Sequence, residues 1–142
     1  MTEYDFIGYY SHSIDSKKRV AIPAKYRSQI KDGKVFVTKF LDGCLVVYPA
    51  DEWEKLKAEK LSKLDPMASR DDRDKKRVLL GSAIPCEVDK QGRIGLTVRH
   101  LKQAKISKEV VFTGMGNYFE IWSAGEWDAW EEAYNERERA GQ

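Results

Sequence analysis

The stretch SIDSKKRVAIP, Ser13–Pro23, sets an aspartate four positions ahead of an arginine, puts two lysines between them, and continues into a short apolar run. Alone it is a basic turn leading into a strand. It recurs, however. Seventy-four residues later the chain reads EVDKQGRIGLT, residues 87–97, so Asp89 and Arg93 repeat Asp15 and Arg19. The same offset maps ADEWEKL (Ala50–Leu56) onto AGEWDAW (Ala124–Trp130), and CLVVY (Cys44–Tyr48) onto YFEIW (Tyr118–Trp122). VFVT (Val35–Thr38) meets VVFT (Val110–Thr113) at an offset of 75, a one-residue slip between elements. The order of features is kept, which marks an internal duplication.

Each copy reads the same way. A strand (YYSHSI; AIPCEV) leads into a tight turn (DSKKR; DKQGR), and a short apolar strand follows (VAI; IGL). A short helix comes next (PAKYRSQI; TVRHLKQA); Pro23 suits a first helical position and Thr97 an N-cap. Two β-rich segments separated by FLDG or GMGN read as a hairpin, and a longer helix closes each copy. In the second copy Ser123 and Glu126 fit a capping box, and Trp127, Trp130 and Tyr134 form one apolar stripe. Trp53, Leu56 and Leu64 form a looser stripe in the first. Between the copies, Asp65-Pro66 reads as a helix start and Gly81 as its stop.

The expected organisation is one domain over residues 1–142: a first repeat over 8–59, a helical connector over 60–81, a second repeat over 82–134 and a charged tail over 135–142. The expected class is α+β and β-rich. Two half-copies, each too small for a core of its own, should pair about a pseudo-two-fold axis into one barrel-like core flanked by helices.

Composition narrows the chemistry. The 142 residues are 42% hydrophobic and 34% charged, so the chain should fold. The start, MTEYDFIGYY, lacks a basic segment followed by an apolar one, and no apolar run reaches the length of a membrane span. A cytoplasmic protein without a membrane partner is expected. Cys44 and Cys86 lie 42 positions apart and His12 and His100 are the only histidines, too few for a structural zinc site; buried thiols are expected. No cofactor and no catalytic residue are expected, because no GxGxxG after a strand, P-loop, HExxH or GxSxG is present. The formal net charge is only +2, but residues 120–142 carry −5, leaving +7 on the rest. An acidic end masks a basic body.

In an Asp-x-x-x-Arg turn the two side chains face each other about 5 Å apart and can pair, while the carboxylate accepts turn N–H groups. Gly92 suits the left-handed position that closes such a loop; Lys18 occupies the matching place, where positive φ costs about 1 kcal/mol. One explanation is that both turns are merely exposed ion pairs. The other is that Lys17, Lys18 and Arg19, with Lys90 and Arg93, form paired cationic tips that match the phosphate repeat of DNA, the arginines also reading guanine edges. Asp15 and Asp89 would then orient the loops. Lys25, Arg27 and Arg99, on the short helices beside His100, are candidates for a supporting basic surface.

IDSKKRVAIPAKYR resembles the signature of AbrB-like swapped-hairpin DNA-binding domains, a strand followed by D-x-x-G-R, an apolar stretch and I-P. Two such halves, with VVYPADEWEKL after the first and RVLLGSA before the second, resemble the MraZ family from about Phe6 to Tyr134. That resemblance implies a swapped-hairpin barrel. It implies a transcription regulator, often a repressor, of the bacterial division and cell-wall gene cluster including its own gene. It further implies ring-shaped, octamer-like homo-oligomers on repeated boxes in double-stranded promoter DNA, a nucleoid location, and DNA contact through the DxxxR loops: Asp15, Lys17, Arg19, Asp89 and Arg93. Lys18 in place of glycine, Thr97 in place of proline and the additional Lys90 depart from the family pattern. The competing expectation is an antitoxin-like protein-interaction module on the same barrel, its acidic helix meeting a basic partner.

Overall fold

A computed structural model describes residues 4–141; Gln142, at the end of the expected tail, and the first three residues lie outside the described part. In chain order the elements are β1 (Tyr9–Ser13), β2 (Arg19–Ala21), α1 (Ala24–Arg27), β3 (Lys34–Lys39), β4 (Leu45–Pro49) and α2 (Ala50–Glu59). A 3-10 turn (Leu61–Lys63) and α3 (Arg70–Leu79) connect to β5 (Ile84–Glu87), β6 (Arg93–Gly95), α4 (Val98–Gln103), β7 (Glu109–Gly114), β8 (Phe119–Ser123) and α5 (Ala124–Ala140).

The strands form a six-stranded antiparallel sheet, β1-β7-β8-β4-β3-β5, and a two-stranded ribbon, β2-β6. This order is symmetric. β1 of the first copy pairs with β7 of the second, and β5 of the second with β3 of the first. Neighbouring β1 and β2 therefore do not form the ladder that their turn suggests; each is handed to the other copy. Both edge strands run through a turn into the ribbon, whose Val20 and Ile94 pack into one core with the sheet, in keeping with the expected swapped-hairpin barrel.

Both faces of the sheet are covered, so β4 is buried at every position. Leu45 and Val47 enter one core with Val20 and Ile94 of the ribbon, Tyr26 of α1 and Phe112 and Phe119 of the sheet. Val46 and Tyr48 enter a second core with Trp53 of α2, Trp122 of β8 and Trp127 of α5. Continuous burial replaces the alternation of a one-sided strand. Four-residue α1 has little helical stability of its own. Its fully buried Tyr26 holds it, edge-on to Phe6 at 5.3 Å and donating its hydroxyl to the Gly8 carbonyl at 2.8 Å.

Local signals fare unequally. Thr97 caps α4, its Oγ1 accepting the His100 N–H at 3.0 Å. Ser123 caps α5 through the Glu126 N–H at 3.0 Å, but the Glu126 carboxylate pairs with Lys105 at 3.2 Å, so half of a capping box forms. Pro23 is the N-cap of α1 rather than its first residue. Asp65-Pro66 opens a turn, with Asp65 accepting the Met67 N–H at 3.0 Å; α3 starts five residues later under Ser69, whose side chain accepts the Asp72 N–H. Cys44 is buried and Cys86 only partly so, because β5 is an edge strand.

Candidate nucleic-acid interface

The two turns superpose bond for bond. In the first, the Asp15 N–H donates to the Arg19 carbonyl at 2.8 Å and the Lys18 N–H to the Asp15 carbonyl at 3.0 Å. In the second, Asp89 N–H donates to Arg93 O and Gly92 N–H to Asp89 O, both at 2.9 Å. Asp15 Oδ1 accepts the N–H groups of Lys17 and Arg19 at 2.8 and 2.9 Å, and Oδ2 takes Arg19 Nε at 2.9 Å. Asp89 does the same with Gln91, Arg93 and Arg93 Nε at 2.9, 2.9 and 3.0 Å. A single carboxylate thus satisfies three donors and fixes the turn. The Arg19 N–H is the largest cause holding the Asp15 carboxyl below its ordinary 3.8; partial burial opposes it, and the Arg19 side chain and Lys17 N–H add to it. Asp89 is lowered in the same way, Arg93 N–H first.

That grip engages each guanidinium through Nε, and among the described residues no hydrogen bond takes its outer nitrogens. The arginines are 33% and 27% exposed in their side chains. Arg93 Nη1 lies 4.0 Å from Asp15 Oδ2, so the two turns are within ion-pair reach of each other. The ribbon makes this inevitable: Arg19 is registered against Gly95 and Ala21 against Arg93. Beyond the ribbon, the Ile22 N–H donates to the Gly92 carbonyl and the Leu96 N–H to the Lys18 carbonyl, both at 2.8 Å. Each turn is therefore anchored by the strand leaving the other.

Lys18 adopts φ 62, against 77 at Gly92. The first turn keeps the shape of the second and accepts the strain of a left-handed lysine. Space explains why only the second turn needs glycine. A Cβ at Gly92 would meet Arg27 Cδ at 2.6 Å and Arg27 Nη1 at 2.7 Å. Arg27 lies across the second turn, with Nη2 donating to the Lys90 carbonyl at 2.8 Å. Its counterpart 74 residues on is Leu101, which cannot make that bond.

Lys17, Lys18 and Lys90 are exposed, and no carboxylate pairs with them among the described residues. Of the three residues expected to support a basic surface, Arg27 belongs to the framework of the second turn. Lys25 and Arg99 are exposed, and no hydrogen bond or ion pair joins their side chains to the turns. His100 is buried, with Nε2 at 2.7 Å from the Ser82 carbonyl, in a structural role. Sequence reasoning missed the Arg27 contact, which spans 63 residues and leaves no local signal. No helix among the described residues is long and apolar enough to cross a membrane, and no group of three or more His, Cys, Asp or Glu among them could hold a metal ion.

Comparison with known proteins places the chain. The family described as "MraZ protein, putative antitoxin-like" matches residues 6–77 and 79–141, one segment for each half. A protein named transcriptional regulator MraZ from Caldanaerobacter subterraneus subsp. tengcongensis is 49% identical over 123 residues, covering 86% of this chain and 83% of the relative. Those of the same name from Lactobacillus johnsonii and Halothermothrix orenii are each 44% identical, over 131 and 135 residues; both cover 92% of this chain, and 90% and 92% of the relatives. With the duplicated turns, the swapped strands and this similarity along nearly the whole length, the chain belongs to the MraZ family.

Proposed function

We propose that the protein is a sequence-specific DNA-binding transcriptional regulator, with no enzymatic activity, that applies its paired turns to double-stranded promoter DNA. One observation carries the reading. Two turns of the same geometry stand side by side, each holding an arginine by Nε while no hydrogen bond among the described residues takes its outer nitrogens. Such a fork suits bidentate contact with guanine O6 and N7, worth about 1–3 kcal/mol of discrimination per pair, or a close phosphate contact. Arg19 and Arg93 take that role. Lys17, Lys18 and Lys90 hold phosphates. Asp15 and Asp89 brace the turns without touching DNA, since phosphate repels a bare carboxylate. Arg27 braces the second turn from behind.

The repeats over 8–59 and 82–134 each supply one turn. The relatives' names support a transcriptional regulator, and the family resemblance alone extends the reading to repeated promoter boxes ahead of the division and cell-wall gene cluster, including this protein's own gene. A ring of copies would engage several boxes at once, so each pair of turns needs only modest affinity.

Salt dependence tests the proposal. Affinity for the DNA upstream of the gene should fall linearly on a log–log plot, with a slope of about −0.9 per neutralised phosphate, and should exceed that for scrambled DNA at every salt concentration. A flat salt response without preference for the upstream DNA would overturn it and favour the protein-interaction module.

A further inference from the structure

On the face of the sheet away from the ribbon, α5 and the β3–β4 loop border a cavity of about 350 Å³ that the turns do not use. Its walls are aromatic. Tyr9 meets Trp127 edge-on at 5.1 Å, and Trp130 stacks on Trp127, also at 5.1 Å. Two carboxylates line the same space, Glu120 and Asp42. Glu120 is 5% exposed, and one of its oxygens accepts Trp122 Nε1 at 2.8 Å. Burial pushes its carboxyl above the ordinary value; the bonds from Trp122 and the Cys44 thiol oppose the rise, and Asp42 adds to it. Among the described residues no lysine, arginine or histidine pairs with either carboxylate. An independent feature lies beside them. Thr113, registered opposite Glu120 and also lining the cavity, is 8% exposed, and its Oγ1 has no hydrogen-bond partner.

The first half of the chain offers a comparison. In the cleft of about 380 Å³ against α2, the buried Glu52 is met by Lys55 Nζ at 3.4 Å and Asn117 Nδ2 at 3.1 Å. There the carboxylate has its cation and its amide. The second-half cavity has aromatic walls, two acids without a cation and an orphaned hydroxyl.

We propose that this cavity binds an organic cation, a guanidinium or primary alkylammonium head, with the aromatic side chains as walls, Glu120 and Asp42 as counter-charges and Thr113 Oγ1 accepting one N–H. Of the two heads, the guanidinium is the more weakly hydrated and so suits an aromatic-walled space best. A hard metal ion would instead need about six oxygen ligands, which the cavity does not offer. The head arrives either on a free small molecule or on a lysine or arginine of a second copy of the chain.

The test is a tryptophan-fluorescence titration of the full chain with n-butylguanidinium, using neutral n-butylurea as the control. The cation should give a saturable change that the urea does not. Glu120→Gln, and separately the exposed-loop change Asp42→Asn, should each weaken it at least about tenfold. Asp42→Asn leaves the buried Glu120–Trp122 bond intact, so it answers even if Glu120→Gln misfolds. Equal responses to cation and urea, no saturation, or indifference of the affinity to Asp42→Asn would each overturn the proposal. Sedimentation in the same solutions separates the sources: release of smaller species identifies a side chain from a second copy, and unchanged size identifies a free cation.

Discussion

Gly92→Ala probes how the second turn is built. Two penalties follow from its surroundings. At φ 77 an alanine pays a left-handed cost of about 1–2 kcal/mol, reduced by about 0.5 kcal/mol because alanine also restricts the unfolded chain. Its Cβ would also stand 2.6 Å from Arg27 Cδ, so the arginine must swing away and lose its bond to the Lys90 carbonyl. At an exposed site that bond contributes about 1 kcal/mol. Gly92→Ala should thus cost about 2 kcal/mol and Arg27→Ala about 1 kcal/mol. In the double variant the clash is gone and the bond is lost only once, so its cost should fall about 1 kcal/mol short of the sum. Urea denaturation of the four proteins at one protomer concentration measures this coupling. Additivity within about 0.3 kcal/mol would refute the claim that Gly92 is glycine to admit Arg27.

Other perturbations test other parts of the account. Because the folded-state pKa of Asp15 is depressed, its contribution is complete above the ordinary 3.8 and is lost as pH falls through the lower folded value; an NMR titration midpoint at or above 3.8 would contradict the three-donor grip. Thr97→Ala removes the cap of α4 and should cost about 1 kcal/mol in denaturant titration, whereas full retention of stability would make the Thr97–His100 bond incidental. Burial drives the Cys44 thiol well above its ordinary pKa, so in native protein Cys86, the less buried of the two, should react first with a thiol reagent; equal rates would place Cys44 nearer the surface.

The duplication was the most legible feature, because Asp15 and Arg19 return at one offset with the tryptophan-bearing helices in step. The brace within each turn was equally readable, since a carboxylate four residues ahead of an arginine finds its donors locally. The exchange of β1 and β5 between halves was not readable from the turn itself. A tight turn closes in the same way whether its strands pair with each other or with a partner copy, and only the family resemblance supplied the swap. The start of α3 was misplaced because Asp65 and Ser69 are both good caps, and Asp65 is occupied by the turn before the helix. Arg27 read as surface charge because its acceptor is a backbone carbonyl, which carries no sequence signal.

The central claim is that the two arginine forks read DNA. It is tested most directly by measuring the affinity of the Arg19→Ala/Arg93→Ala variant for the DNA upstream of its own gene and for scrambled DNA, with assembly checked alongside. Loss of two bidentate contacts at about 1–3 kcal/mol each should remove at least about thirtyfold of the preference, lower the salt slope and leave assembly unchanged. Full retention of the wild-type preference in a folded, assembled variant would contradict the account.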